Sequence, residues 1–125
     1  MTQKNKELLL KDLSARLLYG VKVQINSDIK KVVGIKNGFV VTKERGLYST
    51  KEYITRIECC ILYLRPMSSM TEEEKIDYQA FFNYDGVEYP EEYIDWLNAH
   101  HFDYRGLIEK GLAIAVTEEN NPYKS

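Results

Sequence analysis

The sequence predicts an α+β fold with an N-terminal helix, a small curved antiparallel sheet of the SH3-like or Sm-like partial-barrel kind, then C-terminal helices. Three observations predict it. A leucine stripe at helical spacing opens the chain, short runs of alternating β-branched residues follow, and helix-start signals come after Pro66. With 125 residues, 44% hydrophobic and 29% charged, the chain can bury one core, and it reads as a single domain rather than a disordered segment. Within that domain the curled sheet should occupy 21–65, the helical part 71–111 and a frayed tail 117–125.

In residues 6–18, Leu10, Leu13 and Leu17 recur at three and four, and Leu9 widens the stripe. Asn5 is the expected cap, and Gly20 can adopt the left-handed conformation that ends helices. Val21 to Asn26 alternates strictly, as a half-buried strand does. A second strand reads from Ile29 to Lys36, with Ile29, Val33 and Ile35 towards the core and Gly34 at a bend or bulge. Asn37-Gly38 tolerates positive φ at both positions, so a tight hairpin should return the chain through a third strand, Phe39 to Thr42. Lys43 to Thr55 is polar and reads as loop, with a short strand around Leu47 at most. From Arg56 or Ile57 to Leu64 the run is apolar on both faces, which predicts a strand covered on both sides.

Thr71 and Glu74 stand at capping-box spacing ahead of a second helix expected over 72–83, burying Ile76, Ala80 and Phe81 or Phe82. Asp85-Gly86 marks a turn, and Pro90 suits the first position of a third helix over about 91–100. That helix carries Tyr93, Trp96, Leu97 and His100 on one face. Asp103 can cap a final short helix from Tyr104 to Lys110, which Gly111 closes before an extended Leu112 to Val116.

No motif announces a reaction. Cys59 and Cys60 are adjacent, and neighbouring strand side chains diverge, so the expectation is two buried, unlinked thiols in a reducing cytoplasm. Apolar runs of a few residues fall far short of the roughly 20 that a spanning helix needs, and the N-terminus lacks the pattern of a signal peptide. His100 and His101 are the only histidines; being adjacent, they diverge on a helix, so they read as the end of that helix rather than as metal ligands. The glycines fit no phosphate-binding loop, and the carboxylates of 72–95 read as helix first turns facing solvent. No metal, cofactor or catalytic residue is expected.

Charge is the stronger signal. Residues 1–66 hold 13 Lys and Arg against 6 acids, whereas 67–125 hold 4 against 13. Lys22, Lys30, Lys31, Lys36, Lys43 and Arg45 should lie on the solvent face or loops of the sheet, where small barrels receive oligonucleotides. Tyr19, Tyr48, Tyr53 and Tyr63 lie in the same basic half and offer rings that could stack bases.

Three segments also carry a resemblance: Lys6 to Ile25, Leu64-Arg-Pro-Met-Ser-Ser-Met-Thr-Glu-Glu-Glu74, and Tyr93-Ile-Asp-Trp-Leu-Asn-Ala-His-His-Phe-Asp-Tyr-Arg-Gly-Leu-Ile-Glu-Lys-Gly-Leu-Ala113. They resemble a group of short proteins of gut anaerobic bacteria and their phages or integrated elements. That group often carries Pro where this chain has Leu18, and its segment matching 27–56 varies. The resemblance implies a cytoplasmic, mobile-element setting and transfers no functional residue.

The leading expectation is thus a non-enzymatic binding or adaptor protein whose basic sheet face contacts an acidic partner, nucleic acid foremost. A second reading is a self-assembly or protein-interaction module in which the basic half of one copy meets the acidic half of another. A third is an enzyme built on Tyr104, Arg105 and His100 or His101, with Arg105 otherwise expected to pair with a C-terminal acid.

Overall fold

The computed structural model describes residues 1–83 and 85–124 of the chain. Helix α1 spans Gln3–Arg16, and the Thr2 hydroxyl caps it by accepting the Asn5 N–H at 3.1 Å. The helix therefore starts a turn earlier than Asn5 suggested, and a 3-10 turn, Leu17–Tyr19, carries it to Gly20 at φ 71°. Leu9 and Leu13 are wholly buried, while Leu10 and Leu17 are half-buried beside them.

Six strands form one open sheet in the order β4-β3-β2-β1-β5-β8, and no closed barrel is found among the described residues. They are β1 Lys22–Ile25, β2 Asp28–Lys36, β3 Phe39–Arg45, β4 Thr50–Arg56, β5 Cys60–Leu64 and, much later, β8 Ala113–Ala115. Strands β1 to β5 pair antiparallel, but β8 joins β5 in parallel, so the sheet is mixed rather than antiparallel throughout. A parallel neighbour requires a long connection, and the two later helices supply it.

The β2–β3 turn has the expected chemistry, with φ 52° at Asn37 and 79° at Gly38. The inward residues of β2 differ from expectation. A bulge between Val32 and Gly34 shifts the register, so Val32 is buried and Ile35 half-buried, while Ile29 and Val33 are exposed. Residues 43–55 are not loop: β3 runs on to Arg45 and β4 returns from Thr50. Backbone pairing holds this ribbon even though most of its side chains face water.

Before β5 the chain makes a 3-10 turn, Ile57–Cys59, which leaves Cys59 exposed and only Cys60 buried, where burial raises its thiol pKa to about 11. Helix α2, Glu72–Gln79, has the full Thr71–Glu74 capping box but ends four residues short of 83. None of its residues is buried, and Ile76 is exposed. A small hairpin, β6 Phe82–Asn83 with β7 Gly86–Val87, follows and takes up the expected turn at Gly86. Helix α3, Pro90–Ala99, begins on its proline and buries Leu97 and Asn98. Tyr78, Phe81, Phe82, Tyr93 and Trp96 meet ring against ring, tying α2 and the hairpin to α3 through an aromatic patch apart from the main core.

Residues 104–110 form turns instead of a fourth helix. Asp103 does cap, accepting the N–H groups of Leu107 and Ile108 at 2.9 Å, but Gly106 at φ 74° stops propagation. The main core joins Leu9 and Leu13 of α1, Val21, the inward sheet residues Val23, Val32, Val40 and Leu62, and Leu107 and Leu112.

Candidate nucleic-acid interface

Residues paired across a ladder share a face, and faces alternate along each strand, so the register assigns every sheet residue to one of two sides. One side holds Val23 opposite Leu62, Val40 opposite Ile35, and Val32 opposite Thr42; this is the side covered by α1. The other side starts with Lys22 opposite Lys31, continues with Gln24 between Ile29 and Ile61, and passes the bulge to Gly34, Val41 and Ile54. It ends with Phe39 between Lys36 and Arg56, Lys43 opposite Glu52, and Arg45 opposite Thr50.

This outer face therefore carries Lys22, Lys31, Lys36, Lys43, Arg45 and Arg56 against the single carboxylate of Glu52. Among these, Lys31, Lys36, Lys43, Arg45 and Arg56 are exposed, and none of the five belongs to an ion pair among the described residues. Apolar rings and chains lie between them: Ile29, Phe39 and Ile54 are each two-fifths or more exposed. Two lysines directly opposite each other on neighbouring strands repel, so Lys22 and Lys31 form a locally unfavourable pair that a bound anion would relieve.

Of the six basic residues expected to bind, five share this face and one does not. Lys30 pairs with Val23 and so lies on the inner side, 3.8 Å from Glu44 and over the ring of Tyr53 at 4.7 Å. Lys22 is half-committed, because its ammonium donates to the Pro122 carbonyl at 2.7 Å. Arg56 joins them because it ends β4 instead of opening the strand to Leu64; the β-formers Thr50, Tyr53, Ile54 and Thr55 are the signal for that strand. Of the four tyrosines, Tyr48 stands fully exposed with Leu47 at the tip of the β3–β4 ribbon, whereas Tyr63 is buried.

The tail 117–124 is not frayed. Tyr123 donates its hydroxyl to the Tyr63 carbonyl at 2.7 Å, accepts the Lys22 N–H at 2.9 Å, and stacks on His101 with ring centroids 3.6 Å apart. Asn120 bonds to Thr117 and to the Ala115 carbonyl. Ser125 lies outside the described residues. The tail thus covers the β1–β5 end of the outer face and leaves β2 to β4 open.

Between the tail and the end of α3 lies a cleft of about 760 Å³, lined among others by Arg65, His100, His101 and Tyr123. Its cation nearest the core, Arg65, is already committed. Arg65 grips Glu74 through two bonds of 2.6 and 2.7 Å and lies over the Phe102 ring, and that grip lowers the Glu74 pKa to about 2. His101, at φ 63°, is held neutral by burial and nearby cations, with a pKa lowered to about 4. His100 is bonded through Nδ1 to the Trp96 carbonyl at 2.9 Å, the helix-ending contact expected of it.

Tyr104 and Arg105 pack and pair. The Tyr104 hydroxyl donates to Asn98, and the Arg16 and Arg105 guanidiniums both lie against its ring. Arg105 is 3.9 Å from Asp12, an acid of α1 rather than of the C-terminal half. Asp12 itself makes a wholly buried bidentate pair with Arg16, whose guanidinium also donates to the Phe102 carbonyl at 2.7 Å. This pair lies on the leucine stripe and was invisible to a reading that looked only for apolar spacing. Among the described residues no group of three or more His, Cys, Asp and Glu could hold a metal, and no helix is long and apolar enough to cross a membrane. In comparisons with known proteins the chain matches no family model, no curated protein and no solved structure.

Proposed function

We propose that the protein is a small non-enzymatic binding module whose outer sheet face takes a polyanion, nucleic acid foremost. The observation that carries this reading is the composition of one face: six cations against one carboxylate, with exposed Ile29, Phe39 and Ile54 between the charges. Lysine and arginine neutralise phosphates, and exposed apolar and aromatic groups receive bases, a combination that suits single strands better than a rigid duplex. The exposed ribbon tip, Leu47 and Tyr48 beside Arg45, adds a ring at the end of the same face. On this reading the bent antiparallel part, β1 to β5, is a partial barrel of the SH3-like or Sm-like kind. The protein then works in the cytoplasm, in the mobile-element setting that its resemblance implies.

The test is fluorescence anisotropy of labelled single-stranded RNA, single-stranded DNA and duplex DNA at two salt concentrations. Binding should weaken steeply as salt rises, and Lys31→Glu with Lys43→Glu should abolish it, while Lys30→Glu on the opposite side should matter less. No binding at low salt, or binding indifferent to Lys31 and Lys43, would overturn the proposal.

A further inference from the structure

Strand β4 ends the sheet, and its far edge pairs with nothing among the described residues. The Gly46 N–H bonds to the Ser49 carbonyl at 2.8 Å, which makes 46 and 49 a hydrogen-bonded pair of the antiparallel ladder. Hydrogen-bonded and non-hydrogen-bonded pairs alternate, so Lys51, Tyr53 and Thr55 bond to β3, whereas Glu52 and Ile54 turn their N–H and C=O groups to the open edge, as Arg56 does its N–H, while the Arg56 carbonyl accepts the Cys60 thiol at 3.6 Å. Those three residues also place their side chains on the outer face. Glu52 and Arg56 are exposed and belong to no ion pair among the described residues, and Ile54 between them is 53% exposed.

We propose that this edge is a self-recognition site, on which β4 of a second copy of the chain adds antiparallel about a two-fold axis through Ile54. In that register Ile54 meets Ile54, and Glu52 of each copy meets Arg56 of the other, so a single pairing makes two ion pairs around an apolar centre. Competing registers are penalised. A two-fold through Tyr53 sets Glu52 against Ile54, one through Glu52 sets carboxylate against carboxylate, and one through Arg56 sets guanidinium against guanidinium. Charges on an edge strand usually repel any comer; here their order favours the one register in which both outward charges meet their opposites. The partner is a second copy because the complementarity is of the strand with itself. The product is one continuous sheet in which the basic faces of both copies lie side by side.

The experiment is light scattering with sedimentation, without nucleic acid, over about three decades of concentration up to the millimolar range that a small interface needs. The wild-type mass should climb from one chain towards two. Glu52→Arg and Arg56→Glu should each remain at one chain throughout, because each sets like charges opposite one another twice. Mixing these two variants should restore the pair, since every contact across the axis is then Arg against Glu, and restoration also shows that both variants are folded. A single-chain mass for the wild type at all concentrations, association indifferent to either reversal, or a mixture that stays monomeric would each overturn the proposal.

Discussion

The two faces of this sheet share a backbone and differ in almost everything else. On the inner face Val23, Val32, Val40 and Leu62 are fully buried under α1, and the two buried charges of that helix, Asp12 and Arg16, are paired with each other, Arg16 donating also to the Phe102 carbonyl. On the outer face the same strands show water Ile29, Lys31, Lys36, Phe39, Lys43 and Ile54. Stability therefore resides on one side and the proposed recognition on the other, and a substitution can be assigned to either face by the register of its position.

The comparison breaks most severely at the buried ion pair. Asp12→Ala should cost about 3–5 kcal/mol, because it strands the Arg16 guanidinium away from water, and urea unfolding will read the loss. Adjacent residues of β5 sharpen the contrast: Leu62→Ala on the inner face should cost about 3 kcal/mol, whereas Ile61→Ala on the outer face should cost under about 1 kcal/mol, in the same titration.

The pH dependence comes next. His101 has a folded pKa of about 4 against the ordinary 6.5 of a histidine, so the unfolded chain binds a proton first and stability should fall as pH drops from about 6.5 to about 4. Glu74 acts lower: its folded pKa of about 2 lies under the ordinary 4.5 of a glutamate, so its contribution is present above about 4.5 and disappears as pH falls through 2. Thermal melts across pH should show both slopes, and His101→Asn should flatten only the upper one.

The smallest effect is a gain. The Thr42 hydroxyl is buried on the inner face with no partner among the described residues, so Thr42→Val should stabilise by about 1 kcal/mol.

What the sequence made legible follows from how local each cause is. The leucine stripe, the Asn37-Gly38 turn, the Thr71 capping box and Pro90 all act within a few residues, and all four occur where the local pattern put them. The errors came from forces acting across the chain. Polar residues 43–55 became strand because β3 offered a ladder, the bulge at Val33 reversed which side chains of β2 point inward, and Tyr123 fastened a tail whose own sequence reads as loose. The basic face was legible as a set of lysines, but its membership needed the register, which excluded Lys30 and added Arg56.

The junction of Arg65 with Phe102 has a consequence for how the chain can be altered. Arg65 donates its N–H to the His101 carbonyl at 2.7 Å and accepts the Asp103 N–H at 2.8 Å, so the excursion carrying α2, the hairpin and α3 leaves and returns through one narrow neck. Among the described residues of its outer portion, from Thr71 to Tyr89, none is buried in the main core. A foreign segment of different length could therefore replace that portion at a small loop-closure cost, since the neck already holds the ends together, provided it supplies a carboxylate for Arg65 and cover for Tyr93 and Trp96. The molecule is divided into a sheet that must stay and an appendage that evolution, or a protein engineer, is free to exchange.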